Sequence, residues 1–149
     1  MVSSSGAKTL ISCGTDLVEI SRIRRATERL GQRFLERVFC PNEIADCLPG
    51  GQWSATSAAS LAARFAAKEA VAKALGTGIW RQGITWTDII IQRQANGAPM
   101  IELTGSARAA YQRIGGCDLA ISLTHERDLA MAFCVLQYRP EGKGLDDHG

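Results

Sequence analysis

The chain carries at residues 64–78 the stretch RFAAKEAVAKALGTG, which shapes the interpretation of everything around it. A helix over this stretch and the turn before it is apolar almost all round, with its bulkier side chains at Leu61, Phe65, Val71 and Leu75. Such a helix is normally buried. Glu69 nevertheless lies on an apolar face, where a carboxylate is unfavourable unless it is paired or binds a cation. One interpretation is a core helix in which Glu69 pairs with Lys73 at i,i+4, worth about 0.2–0.5 kcal/mol. The other is a cation site.

Length and composition indicate one globular domain. A chain of 149 residues, of which 46% are hydrophobic, has the size and the apolar content of a single ordinary core. The net charge of +2 is too small to indicate nucleic acid as a partner. We expect a disordered leader over residues 1–8, one domain over residues 9–138 and a disordered tail over residues 139–149.

The cysteines and the apolar runs indicate the cellular compartment of the protein. The five cysteines are odd in number, scattered and without a CxxC spacing. This favours buried free thiols in a reducing cytoplasm over disulfides or a zinc site. Residues 1–8 lack the hydrophobic segment of a signal peptide. No run of about eighteen apolar residues is present, so the sequence predicts no membrane span.

Alternation and periodicity predict an α+β fold. β-branched and alternating runs give strands over residues 9–13, 84–93, 100–103, 119–123 and 129–136. Apolar residues at helical spacing give a helix from Ile20, the alanine-rich helix, and a short helix over residues 106–114. Asn96-Gly97 is a strong hairpin turn, and residues 126–128 close a second hairpin. The order predicts one long buried helix packed on a mainly antiparallel sheet.

Two acidic residues from distant segments suggest a metal site. Asp16 follows the first predicted strand, where an aspartate is most often only a cap or a turn residue. Asp16 and Glu69 together could hold Mg²⁺, which is usually bound by one or two carboxylates plus substrate phosphates. Arg64, Lys68 and Lys73 flank Glu69 and could meet those phosphates. The set therefore suggests a phosphate-bearing substrate bridged through a metal.

A run of arginines follows Asp16 in the chain. Arg22, Arg25, Arg29 and Arg33 recur at three- and four-residue spacing, so one helix face would carry them all. Such a face is commonly only a solvated basic surface. It could also dock an acidic macromolecule. Because aromatic residues that could stack on bases are missing between the arginines, an acidic protein helix fits better than nucleic acid.

The last candidate is His125, at the end of the predicted strand that carries ISLTH at residues 121–125. A lone histidine in a turn is usually structural or simply exposed. At a site that handles phosphates it could donate a hydrogen bond or transfer a proton.

These segments together resemble the holo-acyl-carrier-protein synthase family, the short type of 4′-phosphopantetheinyl transferase. The resemblance covers about residues 11–136 and rests on three separated motifs: GTDLVEISRI at 14–23, FAAKEAVAKALGTG at 65–78 and ISLTH at 121–125. FLERVFCPNE at 34–43 and NGAP at 96–99 fill the gaps in the expected order. The departures are Cys40 in place of a frequent threonine, Thr124 in place of a frequent serine, a longer linker over residues 50–60, and two extra tails.

The resemblance implies a fold, an assembly and a set of site residues. It implies a homotrimer of the 4′-phosphopantetheinyl transferase fold, with each site at a subunit interface. Asp16 and Glu69 would be the magnesium ligands and, with Lys73, the catalytic residues. Coenzyme A would lie along Arg64, Lys68, Lys73, Gly76, Thr77 and Gly78, with Asn96, Gly97, Pro99, Thr124 and His125 contributed by a neighbouring subunit. Arg22 and Arg29 would face the acyl carrier protein.

The implied reaction moves 4′-phosphopantetheine from coenzyme A to a serine of apo-acyl carrier protein, for fatty acid or polyketide synthesis. Glu69, or a metal-bound water that it orients, would take the serine proton. Two alternatives remain at this point. The longer, broad-specificity transferase type resembles two such domains fused, and this chain has one copy of the Lys68-Glu69 helix. A non-enzymatic basic module could dock an acidic protein or RNA through the face from Arg22 to Arg33, but would leave Glu69 unexplained.

Overall fold

The computed structural model describes residues 6–141 of the chain. Its strands are β1 (Leu10–Glu19), β2 (Ile89–Arg93), β3 (Pro99–Leu103), β4 (Gly116–Glu126) and β5 (Leu129–Tyr138). Its α-helices are α1 (Ile20–Leu30), α2 (Gln32–Val38), α3 (Pro41–Cys47), α4 (Ser57–Ala74) and α5 (Gly105–Arg113). Short 3-10 turns lie at Pro49–Gly51, Arg81–Gly83 and Trp86–Asp88. The predicted leader and tail fall largely outside the described residues, so that division of the chain stays a prediction.

The described strands form two antiparallel sheets. One has the order β1-β5-β4 and the other is the β2–β3 hairpin. Helix α4 packs against β1 and β5. The predicted α+β fold with one long buried helix is confirmed, although the strands divide between two sheets where one was expected.

Helix α4 is largely buried, and most of its own buried side chains are small. Leu61, Ala62, Ala66, Ala70 and Val71 are all at 0% exposure. Alanine lets neighbouring elements approach the helix backbone closely, so strands, helices and turns cover most of its circumference. The burial predicted for residues 64–75 is therefore observed.

Strand β1 does not end at residue 13 as predicted. Its pairing with β5 runs without interruption from Leu10 opposite Tyr138 to Glu19 opposite Leu129. Gly14 does not end the strand; it is a residue at which the strand closely approaches a helix. A Cβ at Gly14 would lie 2.0 Å from the Ala70 carbonyl oxygen and 2.7 Å from the Ala74 nitrogen. The glycine therefore lets β1 cross α4 in direct backbone contact.

Both predicted hairpins are confirmed, but one strand is shorter than expected. The β2–β3 turn contains Gly97 at φ +85°, and the β4–β5 turn contains Arg127 at φ 54°. Residues 84–88 do not extend β2, because the Asp88 carboxylate accepts a hydrogen bond from the Thr85 amide at 3.1 Å and caps a 3-10 turn. Such side-chain bonds compete with strand pairing.

The predicted arginine helix is interrupted. Gly31 adopts φ 59° and ψ −136° and separates α1 from α2. Arg22, Arg25 and Arg29 therefore lie on α1, whereas Arg33 lies on a different helix. The prediction of one continuous face from Arg22 to Arg33 is wrong.

The three-stranded sheet has an apolar face turned away from α4. Because side chains alternate along a strand, the exposed ones share this side. They include Ile11 at 68% and Leu17 at 60% exposure, together with Leu129, Met131 and Phe133. We call these five residues the open sheet face.

The cysteines are all free, as predicted. Cys47 and Cys134 are buried, but Cys13 and Cys117 are exposed, so the prediction of burial is wrong for those two. Cys13 alternates with the core residues of β1 and belongs to the opposite side of the strand. Among residues 6–141, no helix combines the length and the hydropathy that crossing a membrane requires.

Candidate active site

The crossing of β1 over α4 brings Asp16 next to Lys73. Asp16 lies two residues after Gly14 and on the same side of the strand. The Lys73 ammonium donates to the Asp16 Oδ1 at 3.2 Å and to the Thr15 carbonyl oxygen at 2.9 Å. Lys73 thus bonds to β1, and the i,i+4 pair with Glu69 that one interpretation proposed is not among the ion pairs of the described residues.

Glu69 is a half-buried carboxylate close to other charges. Its pKa is raised from the ordinary value, first by burial and then by the negative charge of Asp16. The positive charges of Lys73 and Arg22 oppose that rise. The two acidic residues predicted from distant segments therefore do lie together, within the electrostatic range of one lysine and one arginine.

This donor set fits a hard divalent cation that is completed by a ligand. Within residues 6–141 no group of three or more His, Cys, Asp or Glu side chains could hold a metal with protein ligands alone. Two carboxylates match Mg²⁺, which commonly binds one or two of them and takes its remaining oxygens from phosphates and water. Like charges held close together also favour a cation between them.

A basic cleft lies beside this acidic pair. Arg22, Arg25 and Arg29 line it, with Leu30, Phe34 and Phe65 as its main apolar lining, and it encloses about 460 Å³. Arg22 links the cleft to the carboxylates, because its charge acts on Glu69. The arginines of α1 thus form a positively charged surface next to Glu69.

A second group of predicted residues meets in a separate cavity of about 320 Å³. Its lining includes Arg64, Gly97, Pro99, Thr124 and His125, which come from α4, the β2–β3 hairpin and the end of β4. Asp16, Glu69 and Lys73 are not part of this lining. A single chain therefore holds the predicted site residues in two groups.

The structure does not support a coenzyme contact for Lys68. Its side chain is at 0% exposure, and its ammonium lies 2.7 Å from the Glu43 Oε1 inside the core. Lys68 points away from Glu69 because adjacent residues on a helix are separated by roughly 100°. The prediction that Lys68 lies along coenzyme A is corrected on this basis.

The remaining predicted contacts are placed as follows. Arg64 is largely buried, and all three of its guanidinium nitrogens donate: to the Ile91 carbonyl oxygen at 3.3 Å, to the Cys47 Sγ at 3.0 Å and to the Asp46 Oδ2 at 3.1 Å. Thr77 lies in the turn between Gly76 and Gly78, is buried, and bonds to the end of α4. The Asn96 Oδ1 accepts the Ala98 amide at 3.0 Å and shapes the hairpin turn.

Two residues that lie near these sites were not predicted from the sequence. Glu43 is the buried partner of Lys68, and Arg93 lines the cavity beside Arg64. The capping position of Glu43, two residues after Pro41, was a usable sign of a helix start but not of burial. Arg93 precedes the Asn96-Gly97 turn, where a basic residue on its own is unremarkable.

Comparison with known proteins identifies the family of the chain. A family model described as the 4′-phosphopantetheinyl transferase superfamily matches residues 12–134. A holo-[acyl-carrier-protein] synthase of Solibacter usitatus is 39% identical over 128 residues, covering 86% of this chain and 98% of that protein.

Solved structures give the same result. The holo-[acyl-carrier-protein] synthase of Helicobacter pylori, in complex with coenzyme A, aligns with a TM-score of 0.71 and 32% identity over 83% of this chain and 98% of its own. The holo-[acyl-carrier-protein] synthase of Neisseria meningitidis aligns with a TM-score of 0.73 and 34% identity over 84% and 96%.

The fold and these matches show that the protein is a transferase. The chain belongs to the 4′-phosphopantetheinyl transferase superfamily. Within that superfamily, the resemblance to the holo-acyl-carrier-protein synthase family is confirmed.

Proposed function

We propose that this protein transfers the 4′-phosphopantetheine group of coenzyme A to a serine of apo-acyl carrier protein. The observation that carries the proposal is the half-buried Glu69 carboxylate, held near Asp16 and Lys73 and next to the arginine cleft of α1. The relatives and the structural neighbours support it, since they are named as synthases of this reaction. A non-enzymatic basic module has no support from them.

The reaction requires one proton acceptor and stabilisation of one leaving group. The serine oxygen forms a bond to the phosphorus that bears pantetheine, and the bond from that phosphorus to the adenosine 5′-phosphate oxygen breaks. The serine proton passes to a base, and adenosine 3′,5′-bisphosphate leaves. Glu69 fits the role of base, because a carboxylate held beside Asp16 and Lys73 can accept the serine proton. Lys73 fits the second role, because its ammonium can stabilise negative charge on the leaving phosphate.

Magnesium dependence is part of the proposal. Asp16 and Glu69 would hold Mg²⁺, which when bound supplies neutralisation of the pyrophosphate charge. Lys73, bonded to Asp16 at 3.2 Å, would supply positive charge beside the same phosphates. Asp16 would then keep both the cation and the lysine in place.

Coenzyme A would extend from the carboxylates to the second group of residues. Arg64, Gly97, Pro99, Thr124 and His125 share one cavity, which is consistent with one ligand contacting them all. The turn from Gly76 to Gly78 and the Asn96 side chain stay proposed contacts. Lys68 is left out because its ammonium has no exposure.

A homotrimer would unite the two groups of site residues. The open sheet face leaves several large apolar side chains in water, with Ile11 at 68% exposure, and such a patch usually marks an interface. Covering it with further copies of the chain would bring His125 of one subunit toward Glu69 of the next. The residues of α1, led by Arg22 and Arg29, would then face the acyl carrier protein from outside the trimer.

A cytoplasmic location completes the proposal, in keeping with five free thiols. The decisive experiment incubates the protein with coenzyme A, magnesium and an apo-acyl carrier protein and then weighs the carrier. We expect a mass gain of one phosphopantetheine. A carrier with alanine at the acceptor serine, and the Glu69→Gln protein, serve as controls. An unchanged carrier mass with the wild-type protein would overturn the proposed function.

A further inference from the structure

A buried ion pair lies beside the candidate site and takes no part in the chemistry described so far. The side chains of Lys68 and Glu43 are both at 0% exposure, and their charged atoms are 2.7 Å apart. Lys68 directly precedes Glu69 on α4. The pair therefore joins the candidate catalytic helix to α3 at the level of the site.

The charged groups of this pair are fully bonded. The Lys68 ammonium uses all three protons, donating to the Glu43 Oε1 at 2.7 Å, to the Trp86 carbonyl oxygen at 3.1 Å and to the Ile89 carbonyl oxygen at 2.5 Å. The Glu43 carboxylate also accepts the Cys40 amide at 3.0 Å and the Ile91 amide at 3.2 Å. These bonds join α4 to α3, to the turn at Trp86–Asp88 and to Ile89 and Ile91 of β2.

Stability alone does not account for this arrangement. Burial lowers the pKa of Lys68 and the charge of Glu43 opposes that shift, so the pair offsets a desolvation cost that apolar residues would never incur. Replacing a buried ion pair by apolar residues of similar volume is often neutral or stabilising. What such a pair contributes instead is direction, because hydrogen bonds specify an orientation and apolar contacts do not.

Helix α4 needs such a directional constraint. Nine of its eighteen residues are alanine, whose small side chains resist a rotation of the helix less than large ones do, so the polar bonds of Lys68 and Arg64 carry more of that constraint. Side-chain ends lie roughly 5–6 Å from a helix axis, so a rotation of about 20° would move the Glu69 carboxylate by roughly 2 Å. Misplacement by about 1 Å is enough to slow a reaction on the order of 100-fold.

We propose that Lys68 and Glu43 are positioning residues that set the rotation of α4 and so aim Glu69 at Asp16. This inference rests on the proposed function of Glu69. Lys68 does not touch substrate; it holds the helix against α3 and β2. The contact of Gly14 with α4 fixes the distance between β1 and the helix, and the buried pair fixes which face of the helix Asp16 meets.

The test replaces the pair with apolar residues of similar size, Glu43→Leu together with Lys68→Met. We expect the double variant to fold with a lower melting temperature than the wild type, because the four backbone groups that the pair bonds would lose their partners. We also expect a crystal structure of the double variant to show α4 rotated. An electron paramagnetic resonance titration without substrate should show Mn²⁺ binding weakened by about tenfold or more. The kcat should fall by a similar factor. The KM for the carrier protein should stay near the wild-type value, because α1 is not touched.

Two further variants keep the test decisive if the double variant fails to fold. Glu43→Gln retains the size of the side chain but removes its charge, and we expect the same loss of Mn²⁺ affinity from it. Val71→Ala leaves a cavity at another buried position of α4. It should lower the melting temperature while leaving Mn²⁺ affinity unchanged.

The results separate this inference from the proposed function. A folded double variant with α4 in the wild-type rotation and with wild-type Mn²⁺ affinity would reduce the pair to an ordinary core contact and overturn the inference. Matching losses of Mn²⁺ affinity in Glu43→Gln and Val71→Ala would do the same. An inactive wild-type protein would instead overturn the proposed function, while the rotation of α4 could still be measured.

Discussion

Substituting alanine at Gly14 tests whether close contact between β1 and α4 creates the site. The added Cβ would lie 2.0 Å from the Ala70 carbonyl oxygen, 2.7 Å from the Ala74 nitrogen and 2.9 Å from the Lys73 Cβ. These are backbone and near-backbone atoms of a buried helix, so no flexible side chain can move aside. An ordinary contact of about 3.4 Å requires the strand and the helix to separate by roughly 1.4 Å.

The separation has two expected consequences for Gly14→Ala. Overpacking of this kind usually costs about 1–3 kcal/mol of stability. Asp16 lies two residues along the same strand and would move away from Glu69 and Lys73 by a similar distance, so we expect transfer to slow on the order of 100-fold. Differential scanning fluorimetry measures the first effect, and the mass gain of an acyl carrier protein over time measures the second.

Ser12→Ala is the matched control. Ser12 lies on the same side of β1 and its hydroxyl donates to the Ala74 carbonyl oxygen at 2.7 Å. Losing that bond should cost about 1 kcal/mol without separating strand and helix. We therefore expect Ser12→Ala to be destabilised but active. If Gly14→Ala were folded and as active as Ser12→Ala, the strand–helix contact would not position Asp16.

Four further predictions concern the site and its assembly. Asp16→Asn and Glu69→Gln should each abolish transfer with the fold retained, because a metal held by two carboxylates cannot lose one of them. Burial raises the pKa of Glu69 in the metal-free protein, so the folded state binds a proton more readily than the unfolded state, and this group's contribution to stability falls as pH rises from the unfolded pKa through the folded one. Glu69→Gln should therefore be more stable than the wild type at pH 7 and lose that advantage in acid. Arg22→Glu should raise the KM for the carrier protein much more than the KM for coenzyme A, with Arg24→Glu as the control, and added salt should weaken the wild type in the same direction. His125→Ala should be impaired yet folded, and mixing it with Glu69→Gln should restore part of the activity, because some sites of a mixed trimer would have both halves intact.

The predictions for Asp16, for Arg22 and for the trimer each have a result that contradicts them. Full activity of Asp16→Asn at ordinary magnesium would remove Asp16 from the site. Equal changes in both KM values for Arg22→Glu would show that the cleft lined by Arg22 has a structural role and does not bind the carrier protein. An active monomer in light scattering, or mixtures no more active than the separate variants, would place the complete site within one chain.

Local sequence patterns determined the elements that depend on local forces. The Asn96-Gly97 turn predicts its hairpin because both residues tolerate the positive φ that a tight turn needs, and Gly97 adopts +85°. The alanine-rich run around Glu69 predicts a buried helix because no polar face is left for water. Each of the motifs around Asp16, Glu69 and His125 is one continuous stretch of sequence. The resemblance to a family could therefore be recognised without any tertiary contact.

What the sequence by itself did not determine depends on contacts between distant segments. From the sequence, Gly14 could equally end a strand or allow a strand to touch a helix. Only the approach of the Ala70 backbone shows that it does the second. Lys68 looks as exposed as Lys73 until Glu43, 25 residues away, supplies its buried partner. The tertiary structure decided which charge faces the core and which faces the site. The energy of a charge depends on the solvent and counter-charges around it, and folding sets both.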